Sequence, residues 1–341
     1  MSETNKLYKL KNENNVEVAF MSLGGRILSI KLPDGKGNLV DVVLGYSSLE
    51  ASVAGDAYFG ALCGRYANRI ANGTFSIDGS EYKLDCNNGP NHLHGGAEGF
   101  NSRIWSVKEC NREEFAQSYS LSLVSEDGDQ KYPGELKVDV IYGLTDKNEF
   151  VIKYEAKTTK STIINLTSHA YFNLAGPKGG TVADHNLMIN ANRFTPISEE
   201  IGTVSGEISE TVDTAMHFAA TKPVKLALET TEFQNKLVDG MDHNFVIDDY
   251  NGEVKLAATL TEPKSGRKLE VYTDQPGIQI YTGNHFDGTE TGKEDTPINK
   301  WSGIALETQN FPDAPNHQNF PKSVLNPDET YNHTCIYKFT I

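Results

Sequence analysis

Apolar and polar side chains alternate at period two through short β-branched or aromatic runs almost from one end of this chain to the other, and that pattern leaves few folds open. The runs occupy Asn15 to Phe20, Arg26 to Leu32, Leu121 to Ser125, Leu136 to Leu144, Glu149 to Thr159, Val254 to Leu260, Lys268 to Thr273 and Tyr331 to Ile341. Turn pairs separate them: Asp34-Gly35, Asp78-Gly79, Asp127-Gly128, Pro133-Gly134 and Pro276-Gly277. Helical periodicity is rare, with Val224 to Phe233 the best stretch, and neither a βα rhythm nor a glycine-rich nucleotide loop after a strand is present. An all-β fold follows, a large antiparallel β-sandwich with few short helices. No linker, repeat or low-complexity tract divides the sequence, so residues 1–341 are expected to form a single domain.

Three runs carry unusual chemistry on their non-core side. In Ile164 to Leu174 the period puts Asn165, Thr167, His169 and Tyr171 on one face and Ile164, Leu166, Ala170 and Phe172 on the other. In Gly303 to Pro312, Ile304 and Leu306 lie opposite Ala305, Glu307 and Gln309. Pro276 to Gly283 sets Ile278 and Ile280 against Gln279 and Tyr281. Imidazole, phenol, amide and carboxylate groups thus project from strands, an arrangement suited to a polar ligand.

The excess of 46 acidic over 31 basic residues, a net charge of -15, opposes binding to nucleic-acid phosphates or anionic membranes and favours a neutral or cationic small ligand. The N-terminal residues have no apolar signal core, and no segment is long and apolar enough to span a bilayer as a helix, so a cytoplasmic location is expected. Cys63, Cys86, Cys110 and Cys335 show no C-x-x-C spacing and read as reduced, packed thiols.

Four smaller constellations admit both functional and structural roles. Asn91-His92-Leu93-His94-Gly95-Gly96 could chelate a metal through histidines two apart, contact a substrate from a loop whose glycines admit a ligand close to the backbone, or serve structure alone; no further motif with ligand spacing accompanies it. Gly64 to Ile70 carries Arg65 and Arg69, each either a pair partner or a fork that holds ligand oxygens. Asp242 sits in a polar turn entering a strand, yet its carboxylate suits two sugar hydroxyl donors. Glu307 and His169 are either a buried ion pair or a base and an acid able to coexist near neutrality.

These segments, in this order along nearly the whole chain, resemble the aldose 1-epimerases, or galactose mutarotases. The matching motifs are Gly64-Arg65-Tyr66-Ala67-Asn68-Arg69-Ile70 with Asn72 to Phe75, Asn91 to Gly96, Tyr132 to Leu136, Asn165 to Gly176, Asp242 to Phe245, Gln275 to Gly283 and Leu306 to Asp313. The resemblance implies the family's β-supersandwich, Glu307 as base, His169 as acid, and Arg69, His94, Asp242 and Gln279 as sugar contacts, with Asn68 and Tyr171 as further contacts. Ser168 stands where relatives often have asparagine, and His92 falls at a variable site.

The implied substrates are free hexoses such as galactose and glucose, with no metal or other cofactor and a monomer or homodimer as the working assembly. Glu307 would take the C1 hydroxyl proton while His169, as imidazolium, protonates the ring oxygen; the ring opens, the C1–C2 bond rotates, and reclosure gives the other anomer. The acidic surroundings are expected to hold the His169 pKa above its reference value of about 6.5. The rivals are a non-catalytic sugar-binding protein on the same fold, a glycoside hydrolase, which would use two carboxylates, and a hexose-6-phosphate epimerase, which would need more cations than Arg65 and Arg69.

Overall fold

The computed structural model describes residues 4–55 and 58–340. Its largest sheet has nine antiparallel strands in the order Ser106–Glu109, Gln117–Ser125, Leu136–Leu144, Glu149–Thr158, Tyr331–Thr340, Lys268–Thr273, Lys255–Thr261, Asn186–Ile189 and Lys222–Pro223. A six-stranded sheet runs Tyr171–Phe172, Ile304–Gln309, Gly277–Tyr281, Asp242–Val246, Arg193–Thr195 and Ser209–Glu210. A four-stranded meander, Leu7–Lys11 to Leu39–Asp41, adds a third sheet.

The two larger sheets pack face to face because each presents an apolar side. Val140, Ile152, Val271, Tyr337 and Phe339 of the nine-stranded sheet share one core with Phe245, Ile278, Ile280, Ile304 and Leu306 of the six-stranded sheet. The Tyr337 hydroxyl crosses between them to donate to the Leu306 carbonyl at 3.3 Å. Burying each such aliphatic side chain contributes roughly 1.5 to 3 kcal/mol. The same residues therefore pin the strands whose opposite face carries Gln279 and Glu307.

The alternating runs form strands close to their expected limits, Leu136–Leu144 and Lys268–Thr273 among them. Two expectations fail. Val224 to Phe233 is not one helix: Lys225–Leu228 and Phe233–Val238 are separate, and between them the Glu232 backbone N–H donates to Thr230 Oγ1 at 3.2 Å. A threonine hydroxyl that satisfies the backbone locally competes with helix continuation.

Ile164 to Leu174 is likewise not one strand. Asn165 bridges to Tyr66, Thr167–Ser168 pairs with Leu62–Cys63, and Tyr171–Phe172 with Ile304–Gln309, so the segment changes partner every few residues. Its polar face is divided accordingly. Asn165 and Thr167 spend their side chains on structure, Asn165 donating to the carbonyls of Ala67 and Asn310 and Thr167 to that of Thr308. All four cysteines are free, but Cys86 is exposed rather than packed.

Candidate active site

A cavity of about 460 Å³ opens above the six-stranded sheet, lined by Tyr58, Asn68, Arg69, His94, His169, Tyr171, Asp242, Tyr281, Phe286, Glu290 and Glu307 among others. The strand register sets the layer that carries Glu307 into its floor. Asn244 lies opposite Gln279, and Gln279 opposite Glu307, which makes a polar row across three adjacent strands. His169 enters from the side, its backbone N–H donating to the Ala61 carbonyl at 2.8 Å and its carbonyl accepting from the Gly60 N–H at 2.9 Å. His169 Nε2 lies 3.5 Å from Glu307 Oε1.

Both groups are nearly sealed from solvent, with side chains 6% and 2% exposed. Burial pushes the His169 pKa down to about 4 and outweighs the opposing pull of Asp242. Burial also pushes the Glu307 carboxyl well above its usual range; Asp242 adds to this and Arg69 opposes it. The expectation of an elevated imidazole pKa is overturned, because desolvation of a fully enclosed cation outweighs nearby carboxylates. Both shifts favour the uncharged forms, an imidazole beside a carboxyl. Glu307 Oε2 and His169 Nδ1 are buried without a hydrogen-bond partner, so each retains hydrogen-bonding capacity.

His94 has its tautomer set by the backbone. The Asn68 N–H donates to His94 Nδ1 at 3.1 Å, so the ring proton resides on Nε2, and burial holds the ring neutral by pushing its pKa well below the usual value. One ligand atom each from His94, His169 and Glu307 lies within 4.8 Å of the others. That spacing suggests a metal site, but the polarity of His94 is wrong for one. A ligating histidine donates its outer N–H to an acceptor, whereas here the outer nitrogen is itself the acceptor and Nε2 offers a proton.

His92 does not join His94. Its Nδ1–H donates to the Asp85 carbonyl and its Nε2 accepts from the Tyr132 hydroxyl, both at 2.7 Å, so no chelating pair forms. The following glycine serves the fold. At Gly95 φ is +89°, and a Cβ there would lie 1.8 Å from the Gly64 carbonyl oxygen. The neighbouring loop, rather than a ligand, makes the close approach. Gly95→Ala is expected to cost roughly 2 to 4 kcal/mol through backbone strain and overlap, measurable as a lowered urea midpoint.

Arg69 Nε donates to Asn88 Oδ1 at 3.0 Å and its Nη1 to Asp242 Oδ2 at 3.4 Å, which fixes the guanidinium on the wall. Gln279 does not line the cavity: it sits behind Asp242, donating to Oδ1 at 2.7 Å. Arg65 is structural, enclosed by the carbonyls of Ser125, Glu126, Pro133 and Gly134. Tyr58 and Phe286 were not anticipated. Tyr58 holds a left-handed φ of 57° and sets its ring 4.8 Å from that of His94 and 5.9 Å from that of His169. A bulky residue in that conformation has no signature in sequence periodicity.

A family model described as aldose 1-epimerase matches residues 6–338. Galactose mutarotase from Bos taurus is 44% identical over 328 residues, covering 96% of this chain and 92% of that protein. Aldose 1-epimerase from Escherichia coli (strain K12) is 36% identical over 337 residues, covering 98% and 95%. The solved GalM/aldose epimerase homologue from C. elegans superposes with a TM-score of 0.88 at 29% identity, covering 99% of each chain. With a sandwich of matching architecture and a polar pocket on its six-stranded sheet, the chain belongs to the aldose 1-epimerase family.

Proposed function

We propose that this chain interconverts the α and β anomers of free hexoses such as galactose and glucose, with Glu307 as the base and His169 as the acid. The observation that carries this reading is their separation of 3.5 Å in a sealed floor. The hydroxyl that loses a proton and the ring oxygen that gains one are attached to the same carbon of the sugar. Their base and acid must therefore sit side by side, unlike the carboxylates of a glycosidase, which flank the bond about 5 Å or more apart. Asp242 is already committed to Arg69 and Gln279 and suits hydroxyl recognition.

The proton inventory fits the cycle. A neutral Glu307 and neutral His169 hold one proton between them, as do a carboxylate and an imidazolium. The second arrangement is the reactive tautomer; Glu307 then takes the C1 hydroxyl proton as His169 protonates the ring oxygen, and reclosure returns both. His94 Nε2–H and Arg69 supply donors to the sugar oxygens. Tyr58, Tyr171 and Phe286 supply flat apolar surface.

Unphosphorylated sugar is favoured because Asp242, Asp287 and Glu290 line the cavity while Arg69, already paired, is the only lysine or arginine among the described lining residues. Polarimetry on freshly dissolved α-galactose tests the reading, with galactose 6-phosphate and a chelator as parallel arms. The enzyme should abolish the lag to equilibrium rotation, act at least about tenfold less efficiently on the phosphate through charge repulsion, and be indifferent to EDTA. Unaccelerated mutarotation of every free aldose tried would reject it.

A further inference from the structure

Gln309 is fully buried, and neither atom of its amide has a hydrogen-bond partner. An enclosed amide without partners is costly, so a polar neighbour that can complete it is expected close by. Gln309 follows Glu307 by two residues on the same strand, which puts both side chains on the pocket face. Across the ladder Gln309 faces Gly277, one step diagonal from Gln279. Its neighbours in this layer present unpaired acceptors: Glu307 Oε2, Gln279 Oε1 and Asn244 Oδ1. Gly277 keeps the layer compact, since a Cβ there would fall 2.4 Å from Asn244 Oδ1. Gln309 brings the amide N–H₂ that these acceptors lack.

We propose that Gln309 is a positioning residue for the base, its amide donating to Glu307 Oε2 through one water and holding Oε1 toward His169 and the sugar. This rests on the assignment of Glu307 as base. A donor to one carboxylate oxygen both orients the group and favours its ionised form. The other groups facing Glu307 are His169, His94, Arg69, Asp242 and Tyr171 in the pocket, with Cys63 and Tyr337 also sensing its charge. Burial and Asp242 act against ionisation and Arg69 favours it. Gln309 would reinforce Arg69 without adding charge.

The test is the pH profile of kcat/KM for galactose in full-length Gln309→Met and Gln309→Glu. Loss of the donor makes Glu307 hold its proton more tightly, so the alkaline limb should move up by about one pH unit in the Met variant. The plateau should fall by the same factor of about ten, because the reactive tautomer becomes rarer as that proton tightens. Gln309→Glu keeps the shape of the side chain and places a second carboxyl beside the first, so its shift should be larger; it also decides the matter if the Met variant does not fold. An unmoved limb in a folded variant, with or without a lower plateau, would overturn the proposal. Glu307→Gln in parallel separates the two ideas: a fully active Glu307→Gln removes the base itself, whereas an inactive one beside unmoved Gln309 variants removes only the role of Gln309.

Discussion

Glu307→Gln is expected to lower kcat by about 100- to 10,000-fold, the range for loss of one acid-base group, with a far smaller change in KM. The amide is nearly isosteric and keeps the strand, whereas it cannot accept the C1 hydroxyl proton. Arg69, His94 and Asp242 remain in place for the sugar. The variant should also be more stable than the wild type above mildly acid pH. The native carboxyl titrates above the unfolded value of about 4.3. Below that value both states are protonated and the group contributes nothing. Above it the unfolded chain ionises while the native one does not, and the wild type loses stability until the native pKa is passed. Polarimetry with thermal unfolding at pH 4 and pH 8 checks both halves; wild-type turnover would remove Glu307 from the chemistry.

His169→Asn should cost a similar factor and change the form of the pH profile. The wild-type pair is active while it holds a single proton, so kcat/KM should be a bell. Its acid limb falls as the pair gains a second proton, governed by the depressed His169 value of about 4, and its alkaline limb falls as the last proton leaves, governed by the raised Glu307 value. Without the imidazole, residual activity needs only ionised Glu307, so it should rise through the raised carboxyl pKa and remain level in alkali. Residual activity of Glu307→Gln should do the reverse and grow toward acid. An alkaline fall that survives in His169→Asn would assign the acid to another group.

The lowered imidazole pKa, where a raised one was expected, shows where the sequence stops informing. The pairing of Ile278 and Ile280 against Gln279, and of Ile304 and Leu306 against Glu307, was legible because period two depends only on chain geometry. Protonation was not. It depends on how completely distant segments enclose His169, and the strand pattern gives no measure of that enclosure. The same reason explains Arg65, where only the fold shows a guanidinium enclosed by carbonyls rather than facing a ligand. Tyr58 and Phe286 reach the cavity from irregular segments, where no periodicity indicates direction. The division of the Asn165 to Tyr171 face into structural and pocket halves arises from a change of backbone partner, between segments far away in the chain.

The place of Tyr331–Thr340 in the large sheet, between Glu149–Thr158 and Lys268–Thr273, bears on how the molecule comes into being. During synthesis every other described strand leaves the ribosome before this one. Until it arrives, two long strands keep unpaired edges of the kind that recruit other chains. The His333 ring on this strand also bridges the Leu166 carbonyl and the Thr308 hydroxyl, at 3.0 and 2.8 Å, behind the segments that carry His169 and Glu307. Strand insertion therefore also completes the hydrogen bonds behind the pocket floor, and a nascent chain stalled before residue 331 is expected to be both aggregation-prone and inactive.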